Sequence, residues 1–97
     1  MTDLVLDGAK MRSLDDLHEQ VARHPETPEI FGRNLDALSD VVSGFYSPPN
    51  RVIWFNADLA RQALGNDFDR VLKIFEESPD TSVELIQKPL PRPRENA

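Results

Sequence analysis

Three short apolar runs and four amphipathic stripes divide this chain into predicted elements. The runs cover residues 4–6, 52–55 and 83–86 and consist mostly of valine, leucine, isoleucine and aromatic residues. Apolar runs of this length are typical of strands in the interior of a sheet. Between the runs, apolar residues recur every three or four positions, which is the spacing of the buried face of an amphipathic helix. The chain is therefore predicted to alternate between strands and helices.

Start and stop signals set the bounds of the first two helices. Ser13 followed by Asp16 resembles a capping box, and Pro25 ends the helix that this box begins. Asn34 is the predicted N-cap of the second helix. Gly44 lies where a C-terminal cap belongs, because glycine readily takes the left-handed conformation that ends many helices.

Two further helices are predicted after the second apolar run. Asn56 caps a short helix that Gly65 ends, and Asn66 caps a longer helix that ends before Pro79. The order strand, helices, strand, helices, strand is typical of parallel strands joined by right-handed helical crossovers. We therefore predict an α/β fold with a three-stranded parallel sheet packed with about four helices. The run at 52–55 is apolar on both faces and belongs in the centre of this sheet.

The last ten residues differ in composition from the rest of the chain. Three of the residues 88–97 are proline, which fixes φ and cannot donate a backbone hydrogen bond. We therefore expect residues 1–87 to form one domain and residues 88–97 to be an extended or disordered tail.

Charge is distributed unevenly between these two parts. The formal net charge is −6, from 17 acidic and 11 basic residues. The tail holds three of the bases and one of the acids, so residues 1–87 carry a net charge of −8. A domain with this charge repels nucleic acid and attracts basic proteins. We therefore expect a protein partner and no nucleic acid.

Residues needed for several kinds of catalysis are missing from the sequence. There is no cysteine, and no phosphate-binding loop, dinucleotide-binding glycine motif, nucleophile elbow or His-Glu-x-x-His motif occurs. His18 and His24 do not share a helix face at the spacing of metal ligands. No apolar stretch reaches the roughly 18 residues of a membrane span. We expect a cytoplasmic protein without membrane segments that is not an enzyme and uses no cofactor or metal.

Asp36 and Asp40 lie four residues apart on the second predicted helix. Like charges at this spacing cost a helix about 0.2–0.5 kcal/mol, so the pair forms either a solvated face or a site for a partner. An acid–base pair would need one carboxyl to be desolvated, and no pocket for it is indicated. Phe31 and Phe45 flank the pair and are either core residues or interface anchors. The spacing alone does not decide between these alternatives.

A longer motif around the two acids is similar to that of a known family. Residues 28–40, with the pattern PE-x-FG-x-NLDAL-x-D, are followed by a glycine and an aromatic residue at positions 44 and 45. This motif resembles the barstar family, intracellular inhibitors of the ribonuclease barnase. The similarity extends over about residues 2–87 and includes the order of the elements. The resemblance implies a barstar-like fold that is monomeric when free.

The resemblance also implies a site and a partner. In barstar-like proteins, the second helix and the loop before it block the active site of a small microbial ribonuclease, with carboxylates in place of RNA phosphates. By position, Asp40 would be the principal contact and Asp36 would support it. The other implied partner-binding residues are Ile30, Phe31, Asn34, Leu35, Ser39, Gly44, Phe45 and Glu77. The implied partner is a basic, extracellular-type ribonuclease or ribonuclease toxin, bound one to one.

Three positions depart from the family pattern. Ile30 stands where a tyrosine is common, Ser39 replaces an aromatic residue, and Arg33 replaces an acid. These changes alter contact area and charge at the rim of the implied site. They leave open an alternative, in which the chain is a barstar-like binding module or immunity protein whose partner is not a barnase-type ribonuclease.

Overall fold

The computed structural model describes residues 1–91. Its strands are β1 (Thr2–Asp7), β2 (Asn50–Phe55) and β3 (Thr81–Ile86). Its α-helices are α1 (Leu14–Ala22), α2 (Leu35–Asp40), α3 (Ala57–Leu64) and α4 (Asn66–Glu77). A 3-10 turn (Gly8–Lys10) follows β1, and a π turn (Val41–Phe45) follows α2. The predicted α/β fold is confirmed, and each strand begins two residues before the apolar run that predicted it.

The three strands form a parallel sheet in the order β1-β2-β3. The register places Leu4 opposite Val52 and Leu6 opposite Trp54, and all four side chains are buried. The Trp54 ring packs against Phe68 of α4 with ring centroids 4.7 Å apart. The central position of β2 is confirmed, because β2 pairs with β1 on one side and with β3 on the other.

Side chains from α1 and the residues after it cover the outer edge of β1. The side chain of Gln20 accepts from the Asp7 amide at 2.8 Å and donates to the Asp7 carbonyl at 2.9 Å. His24 Nε2 donates to the Asp3 carbonyl at 3.0 Å, and His24 Nδ1 accepts from the Glu26 amide at 3.1 Å. These backbone groups have no neighbouring strand to pair with, and side chains supply their hydrogen bonds instead.

The capping box predicted at the start of α1 is wrong. Ser13 occupies the N-cap position, but its side chain makes no capping hydrogen bond. The carboxylate of Asp16 accepts from the Arg12 amide at 2.8 Å. Aspartate is one methylene shorter than the glutamate of a usual capping box, and here it meets the amide of Arg12 instead of that of Ser13.

The predicted asparagine caps of α3 and α4 are also wrong. Asn56 precedes α3 in a left-handed conformation (φ 51°), and its side chain donates to the Asp7 carboxylate at 2.9 Å. Asn66 is the first residue of α4, and Gly65, with φ +56°, occupies the position before it. A contact with β1 takes the Asn56 side chain away from its own helix, whereas Gly65 ends α3 as predicted.

The first four residues of the predicted tail lie near the sheet. The Asn56 amide donates to the Lys88 carbonyl at 3.0 Å. Leu90 lines a surface groove with Val5 and Lys10. Residues 92–97 of the predicted tail lie outside the described residues. Within residues 1–91, none of the helices combines the length and the apolar character needed to cross a membrane.

Candidate functional site

Hydrogen bonds fix the first half of the connection between α1 and α2. The Thr27 hydroxyl donates to the Val21 carbonyl at 2.7 Å and accepts from the Tyr46 hydroxyl at 2.8 Å. The Glu26 carboxylate accepts from the Ser47 hydroxyl at 2.6 Å, and this bond is the main cause that lowers the pKa of Glu26. Thr27 and Glu26 therefore tie the connection to the segment that follows α2.

Asn34 begins α2 as the sequence predicts. Its backbone is extended (φ −141°, ψ 173°), and its side-chain oxygen accepts from the Ala37 amide at 2.7 Å. The predicted N-cap is therefore confirmed. Leu38 is fully buried, whereas Asp36 and Asp40 are exposed. The cap thus fixes which face of α2 presents the two carboxylates.

Replacing Asn34 with alanine is expected to lower the free energy of unfolding by about 1 kcal/mol, because the Ala37 amide loses its acceptor. Asn34→Asp keeps an acceptor oxygen and is the matched control, with an expected change below about 0.5 kcal/mol. Denaturant unfolding of both variants measures the difference. Equal losses would show that the cap is not the cause.

α2 does not end at a glycine cap. It continues into the π turn, which closes with the Tyr46 amide donating to the Val41 carbonyl at 3.0 Å. Gly44 lies inside this turn, and Gly65 is the only glycine with positive φ in residues 1–91. The prediction that Gly44 caps the helix is therefore wrong, because the wide turn satisfies the carbonyl without a left-handed residue.

A shallow cavity lies between α2 and the residues Pro28–Arg33, which we call the site loop. The cavity has a volume of about 130 Å³, and the residues that line it include Pro28, Ile30, Phe31, Asp40, Val41 and Phe45. Ile30 is 88% exposed and Phe45 is 54% exposed, whereas Phe31 is only 9% exposed. The Phe31 ring meets His18 of α1 edge-on, with ring centroids 5.9 Å apart. Phe45 is thus presented at the surface, and Phe31 packs inward.

The carboxylates of α2 have no partner within residues 1–91. No ion pair or side-chain hydrogen bond of this described part includes Asp36 or Asp40. Arg33 supplies a positive charge in the site loop, and its Nη1 lies 3.1 Å from Oε2 of Glu19. The arrangement is suited to accepting charge-assisted hydrogen bonds from another molecule, beside an apolar cavity.

The similarity to known proteins covers nearly the whole of this domain. A family model described as Barstar (barnase inhibitor) matches residues 1–87. The chain belongs to the barstar family. It is also 29% identical over 80 residues to a protein of Bacillus subtilis (strain 168) with the name "Putative ribonuclease inhibitor YrdF"; the alignment covers 82% of this chain and 88% of that protein. The resemblance seen in the sequence is thereby confirmed, and the family description names an inhibitor.

The other predicted site residues of this barstar-family chain differ from one another in exposure and contacts. Leu35 and Ser39 of α2 are half-buried. Gly44 is exposed, and a Cβ atom there would meet nothing within 4 Å. Glu77 does not line the cavity; it lies at the end of α4, with its carboxylate 3.8 Å from Nζ of Lys73. Of the predicted residues, the structure brings Ile30, Phe31, Asp40 and Phe45 together at the cavity, whereas Glu77 lies on another element.

Some residues that shape the candidate site were not predicted from the sequence. Pro28 and Val41 line the cavity, and Thr27 anchors the connection before it. His18 belongs to none of the predicted sites, yet its ring packs edge-on against Phe31. Pro28 begins the motif at residues 28–40, but the motif gives it no role, because the roles of these residues arise from contacts between different segments of the chain. Within residues 1–91, no group of three or more His, Asp or Glu side chains could hold a metal ion.

Proposed function

We propose that this protein inhibits a small basic ribonuclease in the cytoplasm by occupying its active site with Asp40 and Asp36. The observation that carries the proposal is the exposed Asp40, which has no partner within residues 1–91 and lies at the edge of the cavity between Ile30 and Phe45, in a chain of the barstar family. The carboxylates take the place of the RNA phosphates. One inhibitor binds one enzyme, and RNA no longer reaches the catalytic groups.

Charge and apolar contact contribute to binding in different ways. Carboxylates that meet arginine, lysine or protonated histidine form hydrogen bonds about twice as strong as neutral ones. Ile30 and Phe45 stand beside Asp40 as exposed apolar surface, and their burial would exclude water from those hydrogen bonds. The charge of −8 on residues 1–87 attracts a basic enzyme before contact. The acids therefore supply orientation and speed, and the apolar residues supply buried area.

Rigidity of the site favours tight binding. The Asn34 cap sets the start of α2, and buried Leu38 of α2 and Val42 of the π turn hold this segment against the core. The backbone of the acidic face is therefore ordered before the partner arrives. Binding then costs less conformational entropy than it would for a flexible segment.

Two residues at the rim of the site, Arg33 and Ser39, support a second candidate function. Arg33 brings a positive charge into the site loop, where it pairs with Glu19, and Ser39 offers less contact area than an aromatic residue. Both features would change which partner fits. The alternative is a barstar-like binding module or immunity protein whose partner is not a barnase-type ribonuclease.

Titration calorimetry against a panel of small microbial ribonucleases that includes barnase separates the two candidates. We expect one-to-one binding to at least one member, complete loss of RNA cleavage at equal concentrations, and an association rate that falls as salt is added. Absence of binding to every member would reject the inhibitor and favour the module. Binding without inhibition would show that the site does not cover the active site.

A further inference from the structure

His18 is a buried histidine without a hydrogen-bond partner. It is 2% exposed, and neither Nδ1 nor Nε2 has a partner within the described part of the chain. Most buried polar groups are hydrogen-bonded, so two unpaired ring nitrogens in one side chain need an explanation. The ring lies on the inner side of α1, next to fully buried Leu17, and Phe31 of the site loop packs edge-on against it.

The site loop has few other attachments. Apart from the Arg33–Glu19 ion pair, hydrogen bonds of Pro28–Arg33 within residues 1–91 stay inside the loop or reach Asn34. The ion pair is exposed, and such pairs contribute little to stability. Burial of Phe31 against His18 is therefore the main attachment of this loop to α1. Release of that contact would displace Ile30 and open the cavity beside Asp40.

The surroundings of His18 favour its neutral form. The charged groups on α1, the site loop and α2 are Asp15, Asp16, Glu19, Glu29, Arg33, Asp36 and Asp40, all at least partly exposed. Desolvation by burial lowers the pKa of His18, and the opposing effect of the Asp15 carboxylate is smaller. A proton therefore binds more readily when the ring is exposed to water than when Phe31 covers it.

We propose that His18 is a positioning residue for the binding site: its neutral ring packs against Phe31 and holds the site loop against α1, and its protonation releases the loop. The consequence for inhibition rests on the function proposed above, whereas the loop release itself is a property of the free protein. Opening the loop would bring water to the ring while α1 keeps Leu17 and Val21 packed in the core.

Hydrogen exchange at the Phe31 amide between pH 7.5 and pH 5 tests the proposal in the free, full-length protein. This amide donates to the Pro28 carbonyl at 3.0 Å inside the loop. After correction for the intrinsic pH dependence of exchange, its protection should fall by up to about tenfold per pH unit below pH of about 6.5, the slope for uptake of one proton. The Trp54 amide of β2 should stay better protected than the Phe31 amide at each pH, because global unfolding is rarer than loop opening. Its protection also falls with pH, since global unfolding exposes the His18 ring as well. Equal protection of the two amides would show that the loop does not open on its own.

Two variants assign the effect to one ring. His18→Gln cannot take up a proton, so the pH dependence of Phe31 protection should disappear; His18→Leu replaces it if the glutamine variant does not fold. His24→Gln removes the other histidine and should keep the pH dependence. A response that persists in the His18 variants, or that disappears in His24→Gln, would overturn the proposal, and so would a pH-independent wild-type protein.

A ribonuclease that binds the wild-type protein adds a separate readout. For each inhibitor, the affinity at pH 5.5 is compared with the affinity at pH 7. The loss of affinity should be larger for the wild-type inhibitor than for His18→Gln. If no ribonuclease binds but Phe31 protection still falls through His18, the inhibitor function is wrong and the loop device stands. If a ribonuclease binds and Phe31 protection does not change with pH, the loop device is wrong and the inhibitor function stands.

Discussion

Replacing Asp40 with alanine is expected to weaken ribonuclease binding by roughly 100-fold to several-thousand-fold, the equivalent of about 3–5 kcal/mol for removing one member of a buried ion pair. The cationic groups of the enzyme would stay buried without their carboxylate. The free protein should be as stable as the wild type or more stable by a few tenths of a kcal/mol, because the repulsion between Asp36 and Asp40 is relieved. Titration calorimetry and thermal unfolding give the two values.

Asp58→Ala is the matched control for the Asp40 substitution. Asp58 is an exposed acid in the first turn of α3, so the variant loses the same unit of charge from another helix. Its affinity should change by less than about threefold, since only long-range attraction is reduced. If both variants lose affinity equally, the contribution of Asp40 is one of net charge only. If Asp40→Ala lowers stability and keeps inhibition, its assignment to the interface is wrong.

Replacing Trp54 with alanine is expected to lower the free energy of unfolding by about 3–5 kcal/mol, the usual cost of removing a large aromatic side chain from a core. Trp54 is fully buried in the central strand and packs against Phe68 and Phe75 of α4. For a domain of this size, each kcal/mol corresponds to roughly 4–8 °C in melting temperature. Calorimetry should therefore show a large decrease, or a protein that does not fold.

Phe45→Ala is the companion substitution for Trp54. Phe45 is 54% exposed, so its loss should change the free energy of unfolding by less than about 0.5 kcal/mol. Ribonuclease binding should weaken nevertheless, because the exposed ring borders the cavity next to Asp40. Similar stability losses in the two variants would show that Phe45 belongs to the core and does not serve as a contact surface.

The repeating pattern of apolar residues was sufficient to predict the fold. Runs that are apolar on both faces, such as 52–55, predict interior strands, and the helical stripes predict which side chains of α4 face the core. The ends of the helices were harder to predict. Asn34 caps its own helix, whereas the side chain of Asn56 bonds to Asp7, which is 49 residues away in the sequence. Whether a side chain caps its helix depends on the other hydrogen-bond partners within its reach, and these partners can be distant in the sequence.

Only part of the site could be predicted from the sequence, because some of its contacts also join residues that are distant in the sequence. Spacing placed Asp36 and Asp40 on one face of a helix, and the resemblance to the barstar family implied that this face binds a partner. Spacing could not show that Phe31 packs inward while Phe45 is exposed. Phe45 ends a π turn, which holds more residues per turn than an α-helix and so departs from helical periodicity. The partner of Phe31, His18, comes from a different helix.

The side chains of Gln20 and His24 along β1 have a consequence for the behaviour of this protein at high concentration. An uncovered strand edge is a template on which another chain can add a strand, and this is a common route to aggregation. Here two side chains occupy backbone groups of that edge that a foreign strand would need. Neither residue lines the cavity at α2. A cell could therefore accumulate this protein to a high concentration without strand addition at β1, and selection for that property would act on residues outside the proposed binding site.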